Sequence, residues 1–173
     1  VTHEINGEYC LNVALEAKKR GINKFIFASS CSMYGIAEKN FPNENSELSP
    51  MTEYAKSKVW AEKELKKIST NGFNIISLRF ATACGASPKL RLDLVLNDLV
   101  ASAIINQHVE VLSDGTPWRP LVHVEDISLP LFWFVSNSFL YSVILLTFFR
   151  TNCCVSLDEI ILSSDNVPSL LTV

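Results

Sequence analysis

The first 126 residues alternate between short apolar runs of strand length and longer segments with helical periodicity, and this alternation limits the possible folds most strongly. Strand and helix in regular succession predict an α/β fold, with a parallel sheet and helices on its faces. Ligands of such sheets bind beyond the carboxyl ends of the strands. The predicted helices are Asn6 to Arg20, Thr52 to Ser69 and Leu92 to Ile105, and the predicted strands are Lys24 to Ser30 and Asn74 to Phe80. Thr52 is expected to cap its helix, and Asp93 is expected in the first turn of the third helix.

Charged residues are distributed very unevenly along the chain. Residues 1–126 contain 29 charged side chains, whereas residues 127–173 contain four, and residues 127–149 contain none. This uncharged run is long enough to cross a bilayer, which needs about 20 apolar residues. However, Pro130 and a Ser-Asn-Ser stretch interrupt it, and Arg150 is its one basic flank. The run is therefore predicted to span a membrane or, as the interruptions favour, to form a buried hairpin or a tail outside the upstream domain.

Net charge and cysteine usage exclude several classes of protein. The chain has 173 residues, 48% of them apolar, which suits a globular domain with a buried core. Fifteen Lys and Arg residues stand against 18 Asp and Glu, so there is no broad basic surface and no nucleic-acid partner is expected. The five cysteines form no Cys-x-x-Cys pair and the three histidines are isolated, so neither a disulfide framework nor a metal site is predicted. A reducing, cytoplasmic setting is expected, without a secretory leader.

Hydroxyl groups follow the first predicted strand, and a tyrosine and a lysine open the next helix. Ser30 and Ser32 lie at the strand end, whereas Tyr54 and Lys58 are four residues apart, which stacks them on one helix face. A free tyrosine has a pKa of about 10, so a phenol that accepts a proton at neutral pH needs positive charge nearby. A serine hydroxyl could hold the reacting oxygen in line. The pattern predicts proton transfer at the sheet edge, although such serines also commonly cap strand ends.

Other polar residues in this part of the chain have structural interpretations. His123, in the apolar sequence LVHV, is typical of a buried histidine with satisfied hydrogen bonds. Cys31 is expected to be a small packing residue beside the candidate hydroxyls. The charged residues of the second helix are expected to form a solvated face with paired charges. They are Lys56, Glu62, Lys63, Glu64, Lys66 and Lys67.

Four segments occur in an order that is typical of one protein family. They are ASSCSMYG at Ala28 to Gly35, SPMTEYAKSKVWAEKEL at Ser49 to Leu65, LRFATACGASP at Leu78 to Pro88, and SDGTPWRPLVHVEDI at Ser113 to Ile127. Together they resemble the extended short-chain dehydrogenase/reductases, and more narrowly the NAD-dependent nucleotide-sugar epimerase/dehydratase family. The resemblance implies a Rossmann-like, doubly wound parallel sheet. It also divides the chain into a partial epimerase/dehydratase domain, residues 1–127, and an apolar tail, residues 128–173.

The resemblance implies NAD as cofactor and a catalytic role for three residues. Tyr54 would act as general base or acid at a sugar hydroxyl. Lys58 would lower the pKa of that tyrosine and bind the nicotinamide ribose. Ser30 would donate a hydrogen bond to the same sugar oxygen, and the backbone around Ala81 would face the nicotinamide.

The same resemblance implies a nucleotide-diphosphate sugar as substrate and, by family likeness, a possible homodimer. Ser32 would assist at the sugar. Thr82 would lie where the family often has a sugar-binding asparagine. Arg119 would hold the diphosphate, since a guanidinium matches the geometry of phosphate oxygens.

Two positions after Ser30 bear on the type of reaction. Family dehydratases and decarboxylases place one or two carboxylates there for the elimination step, whereas this chain has Cys31 and Ser32. Oxidation and return of hydride need the tyrosine, lysine and serine set alone. These positions therefore favour an epimerase or a reductase over a dehydratase, and an epimerase is the predicted function, with a reductase or a dehydratase as the alternatives.

A glycine-rich turn that binds the dinucleotide pyrophosphate is absent from this sequence. The six glycines are scattered and form no Gly-x-x-Gly-x-x-Gly. The resemblance thus implies that the N-terminal glycine-rich βαβ unit of the fold has been lost or lies outside this chain. Two classes of function stay open. The chain is either the catalytic middle of an epimerase or a non-catalytic remnant, for which residues 127–149 are the candidate membrane attachment.

Overall fold

A computed structural model describes residues 1–36, 42–109, 120–137 and 143–146. The helices are a π-helical turn Glu4–Glu8 that runs into α1 (Tyr9–Lys19), a 3-10 turn Cys31–Tyr34, α2 (Glu53–Ile68), α3 (Val95–Asn106) and α4 (Val124–Ser136). The strands are β1 (Lys24–Ser30), β2 (Asn74–Phe80), β3 (Thr82–Cys84), β4 (Leu121–His123) and β5 (Val143–Leu146). The described residues divide into two compact units, the first with residues 1–36, 42–81, 128–137 and 143–146, and the second with residues 82–109 and 120–127.

A three-stranded parallel sheet forms the centre of the first unit. Its strand order is β1-β2-β5. Lys24 lies opposite Asn74, and Ser30 lies opposite Phe80, so β1 and β2 end at the same edge. The two strands have the predicted bounds, and the predicted parallel α/β architecture is confirmed.

Helices α1 and α2 share a hydrophobic core with one face of this sheet. Side chains alternate along a strand, so Phe27 of β1 and Ile75 of β2 point to the same face. Both are buried together with Ala14 of α1 and Leu65 of α2. Burial of a large apolar side chain contributes about 1.5 to 3 kcal/mol, so this core fixes α2 on the sheet. The predicted cap is also present, since Thr52 Oγ1 accepts a hydrogen bond from the N–H of Ala55 at 3.1 Å.

The turn that follows β1 is closed by Gly35, which has a φ of 72°. Residues other than glycine rarely adopt this backbone conformation. A Cβ atom at Gly35 would also overlap the backbone carbonyl oxygen of Ser49. The N–H of Ser49 in turn donates a hydrogen bond to Met33 O at 2.9 Å. The segment before α2 is thus packed directly against the turn that carries the candidate hydroxyl groups.

A short parallel pair of strands organises the second unit. Thr82 of β3 lies opposite Leu121 of β4, and Cys84 lies opposite His123. Gly85 follows β3 with a φ of 112°, and a Cβ atom there would overlap the His123 ring. His123 is exposed, so the expectation of a buried histidine is wrong. Its ring packs over a glycine and is not enclosed in a core.

The third helix begins later than predicted. α3 starts at Val95, and Asp93 precedes the helix, where its carboxylate binds the Arg91 side chain at 2.5 Å. The acidic residue of the first turn is Asp98. Arg91 and Asp93 thus form an exposed ion pair in the segment before the helix, a feature that apolar periodicity does not indicate.

The uncharged run after Asp126 contains more than one element. Its first part belongs to α4, a helix of 13 residues with Pro130 inside it, and β5 lies further along the same run. No helix among the residues that the structure describes is long and apolar enough to cross a membrane. The predicted continuous span is therefore not formed in the described part of residues 127–149. Lys24 fixes the end of α4, since its Nζ donates a hydrogen bond to Phe134 O at 2.6 Å.

Candidate active site

Ser30 is the last residue of β1, and its hydroxyl organises the turn that follows. Ser30 Oγ accepts a hydrogen bond from the backbone N–H of Ser32 at 3.2 Å and lies 3.0 Å from Ser32 Oγ. The structural interpretation of these serines as caps therefore applies to Ser30. A hydroxyl has two lone pairs and one hydrogen, so this cap leaves Ser30 able to bind a further group.

Tyr54 and Lys58 lie in the first two turns of α2, on the same face of the helix. The Lys58 Nζ atom is 5.6 Å from the centroid of the Tyr54 ring. Tyr54 is 43% exposed, so part of this residue is accessible to a ligand. The predicted four-residue spacing thus brings an ammonium group over the ring of an accessible phenol.

The Lys58 ammonium also contacts β1 next to the strand end. Its Nζ donates a hydrogen bond to the carbonyl oxygen of Ala28 at 2.8 Å and lies 4.7 Å from the centroid of the Phe27 ring. Partial burial lowers the pKa of Lys58 from its ordinary value, whereas the Glu62 carboxylate acts in the opposite direction. The hydrogen bond to Ala28 uses one of three ammonium donors, so two remain for a ligand.

Ala81 directly follows β2 and is buried. Because Ser30 lies opposite Phe80, Ser30 and Ala81 lie at the carboxyl ends of neighbouring strands. This edge is where parallel sheets bind ligands. The first unit therefore contains five candidate residues: Ser30, Ser32, Tyr54, Lys58 and Ala81.

Two further candidates are not among these residues of the first unit. Thr82 begins β3 in the second unit, and its N–H donates a hydrogen bond to Pro120 O at 3.0 Å. Arg119 lies outside the described residues. No group of three or more His, Cys, Asp and Glu side chains within the described ranges could hold a metal ion.

A buried ion pair beside the site was missed by the sequence interpretation. Glu62, which was expected on a solvated face, has a side chain that is only 9% exposed and binds Arg79 of β2. Arg79 Nη2 donates to Glu62 Oε2 at 2.6 Å, and Arg79 Nε donates to Glu62 Oε1 at 3.0 Å. Burial alone would lower the pKa of Arg79, but its hydrogen bonds to Glu62 and the charge of that carboxylate raise it. An arginine within the apolar strand NIISLRF was the available signal, because a buried guanidinium requires a counter-charge.

Tyr34, in the turn after β1, completes this cluster. Arg79 Nη1 donates a hydrogen bond to Tyr34 Oη at 2.6 Å, and that hydroxyl donates to Asn43 O at 2.9 Å. Burial raises the pKa of Tyr34, and the neighbouring Arg79 opposes this effect. A cavity of about 530 Å³ borders Arg79 and Glu62, and none of the candidate catalytic residues lines it.

Cys31 lies between the two candidate hydroxyl residues, and burial raises the pKa of its thiol to about 11. A thiol with a raised pKa is a poor nucleophile at neutral pH.

The raised pKa of Cys31 also makes the stability of the chain depend on pH. Because the unfolded chain loses this proton at a pH near 9, the native state binds more protons between pH 9 and 11, and its stability falls as pH rises through that window. We expect the free energy of unfolding to fall by roughly 2 kcal/mol more in the wild type than in Cys31→Ala. Urea unfolding at pH 8.5 and 11 measures this, and equal pH slopes in the two proteins would contradict it.

The fold and the edge site define a class, the parallel α/β proteins that bind ligands at the carboxyl ends of their strands. Residues 1–138 match the family model described as NAD dependent epimerase/dehydratase family. The chain belongs to this family.

Individual relatives agree with this assignment. The uncharacterised UDP-glucose epimerase YtcB of Bacillus subtilis (strain 168) is 31% identical over 114 residues, which cover 65% of this chain and 35% of that protein. The UDP-glucose 4-epimerase of the same strain is 28% identical over 144 residues, covering 73% of this chain and 42% of that protein. This chain therefore spans less than half the length of these relatives.

Solved structures show the same fold. TunA, an NAD-dependent NDP-hexosamine 5,6-dehydratase of tunicamycin biosynthesis, superposes with a TM-score of 0.72 and 26% identity, covering 82% of this chain and 46% of that one. MoeE5, in complex with UDP-glucose and NAD, superposes with a TM-score of 0.72 and 24% identity, covering 90% of this chain and 52% of that one. The predicted partial Rossmann-like fold is confirmed.

Proposed function

We propose that this chain forms the catalytic middle of an NAD-dependent nucleotide-sugar epimerase. One observation carries the proposal: the Lys58 ammonium lies over the ring of the exposed Tyr54 and is bonded to the carbonyl of Ala28, two residues before Ser30. A proton acceptor, a cation and a hydroxyl thus come from the helix start and strand end that the family motifs mark. The relatives that are named UDP-glucose epimerases support this reaction over others.

Each of these side chains has a defined task in the proposal. The Tyr54 phenol exchanges a proton with a sugar hydroxyl, and Ser30 Oγ donates a hydrogen bond that holds the oxygen of that hydroxyl in place. Lys58 supplies positive charge beside the phenol, and its two remaining N–H donors suit the paired hydroxyls of a ribose. Ser32 supports Ser30 through the 3.0 Å contact between their hydroxyls.

The residues present fit the nicotinamide end of NAD. An ammonium with two available donors, an exposed phenol and the buried backbone at Ala81 lie in one unit at a sheet edge. When bound, NAD supplies the hydride acceptor that oxidation of a sugar carbon requires. The pyrophosphate end needs a glycine-rich turn, which this sequence does not contain.

The substrate is proposed to be a nucleotide-diphosphate sugar. UDP-glucose is bound to MoeE5 and appears in the names of both Bacillus subtilis relatives. Thr82 is proposed to contact the sugar, and Arg119 the diphosphate. Cys31 and Ser32, in place of carboxylates, favour epimerisation over dehydration, because they supply no acid or base for an elimination.

Titration with NAD tests the proposal. A ligand that binds only the folded state raises stability by RT ln(1 + [L]/Kd), which is about 2.7 kcal/mol at 100 times Kd. We expect the Tm of the native polypeptide to rise with NAD and the rise to be smaller in Lys58→Ala. Lys56→Ala is the matched control, because Lys56 lies on the same helix but pairs with Glu53 at the surface, and it should respond like the wild type. An unchanged Tm at millimolar NAD would contradict the proposal and favour a non-catalytic remnant.

A further inference from the structure

We propose that Arg79, Glu62 and Tyr34 form a positioning cluster, which holds the turn that begins after Ser30 in register with the helix that carries Tyr54 and Lys58. The inference rests on the proposed function, because that proposal defines the roles of Ser30, Tyr54 and Lys58. It adds three residues that touch neither substrate nor cofactor in that function. They act through the residues that do.

The first step is the link between β2 and α2. Arg79 binds both carboxylate oxygens of Glu62, and the two side chains are only 7% and 9% exposed. A two-point contact between planar groups fixes both distance and orientation. Glu62 lies four residues after Lys58, so the contact fixes the helix one turn from the candidate cation.

The second step is the link from β2 to the turn after β1. Arg79 Nη1 reaches Tyr34 Oη at 2.6 Å, and the guanidinium carbon lies 5.3 Å from the centroid of the Tyr34 ring. Tyr34 is 6% exposed and ends the 3-10 turn that begins immediately after Ser30. One guanidinium therefore bonds to the helix on one side and to the serine-bearing turn on the other.

The third step concerns the segment that leads into α2. Tyr34 Oη donates to Asn43 O, and Arg79 Nη1 donates to Glu44 O at 3.3 Å. The cluster therefore also holds residues that precede the capping Thr52. A lysine could not replace Arg79 here, because an ammonium is a point charge without the fixed fork that serves three partners at once.

Amide hydrogen exchange on the folded chain tests the cluster. The reporters are the N–H groups of Ser49, bonded to Met33 O, and of Gly35, bonded to Ser32 O at 3.3 Å. Tyr34→Phe removes the hydroxyl and keeps the ring, so we expect exchange at both reporters to accelerate roughly tenfold. The reference is the N–H of Asn74, bonded to Asn23 O at 2.8 Å, which should change less than twofold.

Two further variants sharpen the result. Arg79→Lys should accelerate exchange at the same reporters. Combining it with Tyr34→Phe should add little, because both changes break the same link, the one between Arg79 and Tyr34. Tyr9→Phe is the matched control, since Tyr9 is 56% exposed on α1 and its hydroxyl lies outside the cluster. Equal acceleration at all amides would show an ordinary stability contribution, and unchanged reporters would show no link. Either result overturns the inference.

Turnover gives a second readout that separates this inference from the proposed function. In a native polypeptide that converts a UDP-sugar, Tyr34→Phe should lower kcat about tenfold and change KM less than twofold, because it misplaces reacting groups without removing a substrate contact. A change confined to KM would contradict a positioning role. If the wild type converts no sugar, the proposed function fails, and the exchange experiment still decides whether the cluster fixes the turn.

Discussion

Replacing Arg79 with leucine is expected to lower the free energy of unfolding by about 3 to 5 kcal/mol. The physical reason is the carboxylate left behind, since Glu62 is 9% exposed and would lose both of its guanidinium donors. A buried charge without a partner costs far more than the intact pair contributes. Urea unfolding monitored by circular dichroism measures the change.

Two controls separate this effect from the loss of any ion pair. Arg20→Leu breaks the pair with Glu16, which is exposed on α1, and should cost less than about 1 kcal/mol. The double variant Arg79→Leu/Glu62→Leu removes both charges and should recover most of the lost stability. A double variant as unstable as the single one would mean that packing, and not the orphaned carboxylate, determines the loss.

The strands β1 and β2 could be predicted to the residue, and the reason lies in their surroundings. Both are short runs rich in apolar residues, and β2, which lies between β1 and β5, is buried at every position after its first. Turn-forming residues precede each strand, namely Gly21 with Asn23 before β1 and Asn71 with Gly72 before β2, and they limit where the strands can begin. The helix α2 was equally predictable, because Thr52 caps it and its helix-forming residues continue to Ile68.

Features that the periodicity of the sequence does not encode were predicted less well. α3 starts three residues later than predicted, after an exposed ion pair between Arg91 and Asp93. The burial of Glu62 depends on an arginine that lies 17 residues further along the chain. Helical periodicity places a charged residue on the polar face by default and contains no information about such a partner.

The candidate site shows the same division. The spacing of Tyr54 and Lys58 is a local property of one helix, so their relative placement followed from the sequence. The contact of Lys58 with Ala28 joins residues 30 positions apart and required the fold. The motif that includes Ser30 indicated a functional hydroxyl, whereas its second role as the cap of Ser32 became visible only in the turn geometry. The roles of these residues remain predictions.

The accessibility of Tyr54 distinguishes it from the other tyrosine near the strand ends. Tyr54 is 43% exposed, whereas Tyr34 is 6% exposed and already bonded through its hydroxyl to Arg79 and Asn43. A group that exchanges a proton with a substrate must reach that substrate within hydrogen-bond distance. Tyr34 would have to give up existing hydrogen bonds to do so, whereas Tyr54 is exposed, and we therefore expect the proton transfer at Tyr54.

Replacing Tyr54 with phenylalanine is therefore expected to lower kcat by roughly 100-fold to 10,000-fold, the range that general acid–base groups contribute. The ring remains, so its contact with the Lys58 ammonium is retained and the affinity for NAD should change less than about twofold. The measurement is NAD-dependent conversion of a UDP-sugar by the native polypeptide, with Tyr9→Phe as the control for loss of a hydroxyl. A Tyr54→Phe protein with unchanged kcat would remove Tyr54 from the reaction, and equal losses in the two variants would point to folding. A selective loss of kcat at Tyr54 locates the proton transfer on this phenol, since removing its oxygen takes away the transferable proton and little else.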